Sequence, residues 1–243
     1  MSIFRQAVNI PTVASSSANI GTFPGATAGE LTLNGSLVGV NGQVSFVNMG
    51  YASSITISKG AGLSLATLTF TVVGTYNQVI VTENINGPAA NASVNTDNLF
   101  HTIISISISA STLQTFNIGS NYNIAVVLPD GNSKAGLTHP NYTYSVLLNS
   151  LTAAAGQWAA GNAIIYGVSN NAPVSLRATS LTYANRPSNY FSLPVTGAAL
   201  AAITQAQLQN GIIVQTTYPY AAVIVYLAAG INTTPVYIEI SQS

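Results

Sequence analysis

The sequence predicts an all-β fold: an antiparallel β-sandwich, jelly-roll-like, with an extended N-terminal arm and one short helix. Three observations predict it. From Ile104 to Ser109 isoleucine and serine alternate without a break, a period of two that suits a strand and not a helix. Short runs rich in Val, Ile, Thr and Tyr recur along the chain between turn-forming segments, the rhythm of a sandwich or barrel. Lys and Arg number five and Asp and Glu five among 243 residues, where an average protein is about one quarter charged.

Residues 1–28 are rich in Ser, Ala, Gly, Asn and Pro and read as an arm, either disordered or laid across a neighbour. Strands follow over 29–122. "ELTLNGSLVGV" carries Asn34-Gly35 between apolar residues, a hairpin signal, and Asn41-Gly42, Lys59–Gly62 and Asn86–Ser93 read as turns. "VSFVNM", "SITIS", "ATLTFTVVG", "QVIVTENI" and "TIISISIS" read as strands, the last with Ile104, Ile106 and Ile108 on one face and Ser105, Ser107 and Ser109 on the other. Small uncharged hydroxyls suit a face that lies close to another surface.

A second β region is expected over 123–243, either separate or interleaved with the first. Its strands are "IAVVLP", "YTYSVLLNS" (Tyr142, Tyr144, Val146 and Leu148 on one face), "AIIYGVS", "VSLRATSLTY", "GIIVQTTY", "AAVIVYLAAG" and "PVYIEISQS". Asp130–Asn141 reads as a loop. The helix is expected near 198–209, Ala-rich and followed by Gly211.

Composition narrows the function classes. Cysteine is absent, which excludes disulfides and thiolate metal sites. The charges form no runs, so no basic cluster is offered to nucleic acid. No run of about 18 apolar residues supports a membrane helix, and the tyrosines do not recur as the girdles of an outer-membrane barrel. The N-terminus lacks the pattern of a signal peptide. So poor in charge and neutral overall, a freely diffusing monomer should associate, which favours a surface covered by partners.

Side chains able to do chemistry are scattered. His101 opens the Ile/Ser strand and His139 sits in a loop, and no G-x-S-x-G elbow accompanies them. Glu83 and Asp97 could approach one another as a glycosidase pair, but capping or solvated roles are the simpler reading. "LPDGNSK" is more simply an Asp130-Gly131 turn than a calcium loop. No catalytic, metal or cofactor site is therefore expected. Asn91, Asn141 and Asn232 open glycosylation patterns that chance supplies in such a chain. The 12 tyrosines suit a core, an interface or a sugar platform with Trp158.

The run from Ala28 to Ser109 contains "GELTLNG", "SSITIS", "LTFTVVGT", "TENING" and "LFHTIISISIS". It resembles a recurring type of virion structural protein in tailed bacteriophages, and the closing "YAAVIVYLAAGINTTPVYIEISQS" resembles the final hairpin of such proteins. The resemblance implies a β-sandwich that decorates or joins parts of the particle, without enzymatic activity and assembled in the host cytoplasm. On that reading the chain is a capsid decoration or cement protein, a homo-oligomer and most simply a trimer, whose partners are the major capsid protein or neck and tail proteins. Phe4, Arg5, Ile10, Tyr183, Tyr190, Tyr218 and Tyr220 are its candidate interface residues. A neck or tail component, a carbohydrate-binding adhesin and a hydrolase are the alternatives.

Overall fold

The computed structural model describes residues 4–10, 18–128, 143–149, 163–169, 173, 175–182, 184–193, 210–216, 220–227 and 236–242. Every strand pairing among them is antiparallel. The helix expected near 198–209 lies outside the described residues.

The largest sheet has seven strands. Its path runs β13 (Tyr190–Ser192), β12 (Ala163–Val168), β15 (Ala222–Leu227), β10 (Phe116–Leu128), β5 (Ala52–Lys59) and β8 (Ala92–Asn95). β2 (Gly21–Phe23) also pairs with β10. A five-stranded sheet runs β3 (Gly29–Glu30), β9 (Thr102–Ile108), β6 (Thr69–Tyr76) and β7 (Val79–Asn86), with β4 (Val44–Ser45) on β9. A four-stranded sheet runs β1 (Phe4–Ile10), β16 (Val236–Gln242), β11 (Tyr144–Asn149) and β14 (Ile212–Gln215).

Strand alternation explains the layering. Phe116, Ile118, Ile124, Val126 and Leu128 of β10 are buried in one core with residues of both smaller sheets, among them Phe70, Val72, Ile106, Val146, Ile238 and Ile240. Phe70 meets Phe116 edge-on at 5.4 Å, and Phe23 stacks on Phe116 at 5.0 Å. The Tyr144 hydroxyl on β11 donates to the Ala221 carbonyl beside β15 at 3.3 Å. Both smaller sheets thus form the second layer of the sandwich over one face of the large sheet. On the opposite face Ala125, Val127, Ile224, Tyr226, Tyr166 and Val168 form a second core with Leu176, Ala178, Leu181 and Tyr190. β15 is consequently buried along its whole length, which is why its sequence is a continuous apolar run rather than an alternation.

The two halves of the sequence share these layers. β5 lies along one edge of β10, while β2 and β15 share the other, the first near Phe116 and the second from Ile124 onward. A boundary between residues 122 and 123 falls inside β10. The leading residues are extended, yet Phe4–Ile10 pair with the chain's own Gln242–Val236, and Asn19 fixes the next segment. The Asn19 amide donates to the Ser120 hydroxyl at 2.8 Å and accepts the Ser120 N–H at 2.7 Å. Of residues 1–28, which the composition suggests as an arm, Phe4–Ile10 and Gly21–Phe23 pair with strands of the same chain.

Local readings change in three places. The first is the Ile/Ser strand. Ile103 faces Gly74 and Ser105 faces Val73, so Ile104 is the extra residue of a β-bulge. The buried set is Ile103, Ile106 and Ile108, with Ile104 only half buried. Glycine at 74 permits this approach, because a Cβ there would stand 2.3 Å from the Thr102 carbonyl oxygen. Secondly, Asn34-Gly35 is not a hairpin turn. The Asn34 side chain clamps the Thr22 backbone and Gly35 lies against Asn19, where a Cβ would be 2.3 Å from its carbonyl. The neighbouring Asn41-Gly42 does turn, with Gly42 at φ 76°. Thirdly, the strand expected in "VSLRATSLTY" contains a 3-10 turn at Ala178–Leu181, since backbone groups at its start are bound to Asp97 instead of a strand.

The bulge gives a direct test. Ile106→Ala should destabilise by about 2–5 kcal/mol, the range for truncating a buried isoleucine. Ile104→Ala should cost less than about 1 kcal/mol, because its site is half open. Denaturant midpoints at unchanged slope would measure both.

Candidate functional site

Glu83, Asp97, Asn98, Arg177 and Thr179 converge on one polar node. Glu83 on β7 accepts the backbone N–H groups of Asp97 and Asn98, each at 2.8 Å, and the Asn98 amide at 2.8 Å. Asp97 in turn binds the Arg177 Nε at 2.8 Å, the Thr179 N–H at 2.8 Å and the Thr179 hydroxyl at 2.9 Å. Its carbonyl accepts the Ala178 N–H at 2.6 Å. The fold does bring the two acids near one another, and each carboxylate is directed at donors of its own chain. They cap backbone and fasten the 3-10 turn to the sandwich. No carboxylate or histidine lines the shallow groove of about 360 Å³ formed by Gly25, Ala26, Thr27, Ser111, Thr112 and Leu113. Among the described residues no group of three His, Asp or Glu is placed to hold a metal ion.

His101 fastens another joint. Its ring stacks on Tyr76 at 4.5 Å and its Nδ1 accepts the Asn77 N–H at 3.1 Å. Asn77 and Gln78, at φ 48° and 65°, form the two-residue turn between β6 and β7. Their left-handed conformation suits such a hairpin but strains residues other than glycine. The bond to His101, with that from the Asn77 amide to the Pro173 carbonyl at 3.0 Å, holds the strained turn in place. His139 lies outside the described residues. Lys59, 4% exposed, gives its ammonium to the carbonyls of Gly60 and Ala61 and so closes the loop after β5.

The candidate interface residues divide. Phe4, Arg5 and Ile10 are taken into β1, facing Gln242, Ser241 and Val236. Tyr190 and Tyr220 are buried in the chain itself, at 8% and 9% exposure. Tyr190 lies 6.0 Å from Tyr166 and Tyr220 6.2 Å from Phe191, and the Tyr220 ring also fills the space beside Gly167. Their apolar rings went to the core, which leaves little of either for a partner. Tyr183, Tyr218 and Trp158 lie outside the described residues.

The surface features that composition did not locate are edges and exposed apolar side chains. β7 exposes Val79 by 50% and Ile80 by 69%, and Thr82, Asn84 and Asn86 with them. Leu63 and Leu113 are 73% and 94% exposed; Leu113 precedes Gln114, whose side chain accepts the Leu63 N–H at 3.0 Å. The signal for β7 was in the sequence: Val79-Ile80-Val81 places apolar residues on both faces of one strand.

Two outcomes follow from this geometry. Asp97→Ala should destabilise by about 1.5–3 kcal/mol, the range for losing hydrogen bonds to a charged group. Arg177→Ala should cost less than about 1 kcal/mol, because the arginine side chain is 59% exposed and solvent screens the pair. Burial raises the hydroxyls of Tyr51 and Tyr190 to about 12. Burial, then the charges of Tyr166 and Asp97, raises Tyr226 to about 12. These phenols hold their protons more tightly folded than unfolded, so their contribution is full below about pH 10 and is lost as the pH rises toward 12. Phenolate absorbance should show a late-titrating class of tyrosines, with denaturant stability falling through the same window.

No family model and no curated protein matches the chain. A solved structure titled "Structure of infectious bursal disease virus Gx strain" is similar at 10% identity over 99% of this chain and 76% of that one, with a TM-score of 0.14, a likeness too slight to carry an argument.

Proposed function

We propose that this protein is a non-enzymatic structural component of a tailed-phage particle, most simply a decoration or cement protein on the capsid shell. It is then a homo-oligomer, on the present reading a trimer, partnered by the major capsid protein and assembled in the host cytoplasm. The observation that supports this best is the outer edge of β7, with which no strand among the described residues pairs. That strand has eight residues and pairs without a register shift. It contains no Lys, Arg or Pro, and its one charge, Glu83, is directed at its own chain's backbone. Soluble proteins usually blunt such edges with charge, proline or a bulge. Leaving one regular and without outward charge suits a chain whose edges are covered on assembly. The low charge supports the same reading, since neutral copies pack densely without mutual repulsion.

A neck or tail position has the same chemical requirements and differs in copy number. The adhesin reading is weaker here, because Tyr220, one of its proposed contact rings, is buried. The test is co-sedimentation of the purified protein with expanded, undecorated capsids of the particle that carries it. Saturable binding at a stoichiometry matching the shell lattice is expected. Absence of binding would remove the capsid assignment, and a copy number of about a dozen or fewer per particle by mass spectrometry would point to the neck or tail.

A further inference from the structure

We propose that the outer edge of β7 pairs with β7 of a second copy of this chain, the two strands running antiparallel about a two-fold axis at Thr82. The inference goes beyond the particle reading and does not depend on it.

The hairpin fixes which groups are offered. Tyr76 faces Val79 across the two-residue turn, so Val79, Val81, Glu83 and Ile85 exchange backbone hydrogen bonds with β6. Ile80, Thr82, Asn84 and Asn86 therefore direct N–H and C=O away from it. All four are exposed, and among the described residues no strand pairs with that side. The edge is a row of donors and acceptors at strand spacing, which is what another strand recognises.

The strand's own residues select a second copy as occupant. Only even-numbered residues can exchange bonds across the new contact, which limits the registers. An axis at Glu83 sets two carboxylates directly opposite, a destabilising arrangement. Moving the axis to Thr82 sets Thr82 against Thr82, Ile80 against Asn84, Val81 against Glu83 and Val79 against Ile85. That register overlaps residues 79 to 85 of both strands, joins two apolar pairs at its ends and opposes no like charges. The formal net charge of zero adds no long-range repulsion between copies. Because a self-complementary contact cannot close a three-fold ring, in a trimer it would link copies of neighbouring oligomers.

The absence of cysteine makes the test clean. Thr82→Cys in the full chain places one thiol at the axis, where facing Cα atoms about 5.5 Å apart lie within disulfide reach. Mild oxidation should convert most of it to a covalent dimer, whereas Ser93→Cys on exposed β8 should remain largely uncrosslinked. Ile80→Lys with Thr82→Lys should weaken self-association about tenfold or more in sedimentation. A Thr82→Cys chain that crosslinks no better than Ser93→Cys overturns the proposal, whether or not the lysine variant folds. Unchanged association of a folded lysine variant overturns it as well. Capsid binding is read separately, so failure here leaves the particle reading standing.

Discussion

β10 is hydrogen-bonded along both edges, by β5 on one and by β2 and then β15 on the other, and this double pairing decides where both cores form. Its even-numbered apolar residues face the two smaller sheets, while Ala125 and Val127 face the layer around Leu176 and Leu181. The irregularity between Ser120 and Ile124 preserves that alternation, so residues from both ends of β10 enter the same core. A shift by one residue would turn Phe116, Ile118, Val126 and Leu128 to the wrong side. Asn19 holds Ser120 on the near side of the irregularity, which ties the leading part of the chain to the same strand.

Charge is sparse because this architecture gives it so few tasks. Glu83 and Asp97 satisfy backbone amides and tether the 3-10 turn, and Lys59 closes a loop. Interior joints use the acids and a lysine; the outer edge of β7, unpaired among the described residues, displays hydroxyl, amide and aliphatic groups instead. That division is the reverse of the usual one, in which charges protect exposed edges from other chains. It connects the composition to the proposed role: an edge that points no charge outward, as β7 does, can be continued by a neighbouring sheet, and the bonds of Glu83 to the Asp97 and Asn98 backbone hold that strand in place.

Much of this was legible in the residues. Short β-rich runs between turns located β5, β6, β7, β9, β11 and β15, while the burial of β15 on both faces came from the structure. The alternation could not reveal the bulge at Ile104, because the glycine that permits it, Gly74, lies on the facing strand. Asn34-Gly35 carried a turn signal that a long-range contact with Asn19 overrode, and β1 resembled an arm because its partner, β16, comes at the far end of the chain. The candidate site was less legible. Tyrosine count could not separate core rings from surface rings, and Tyr190 and Tyr220 fell on the core side. The useful signal was the consecutive Val79-Ile80-Val81, which puts apolar residues on both faces of one strand and leaves Val79 and Ile80 exposed.

Backbone amide exchange measured on the free chain and on the assembled form tests this account most directly. β10 should be protected over its whole length in both states, and the amides of Ile80, Thr82, Asn84 and Asn86 should exchange rapidly in the free chain and become protected on assembly. Separate protection of the two ends of β10, or β7 amides that exchange equally fast in both states, would contradict it.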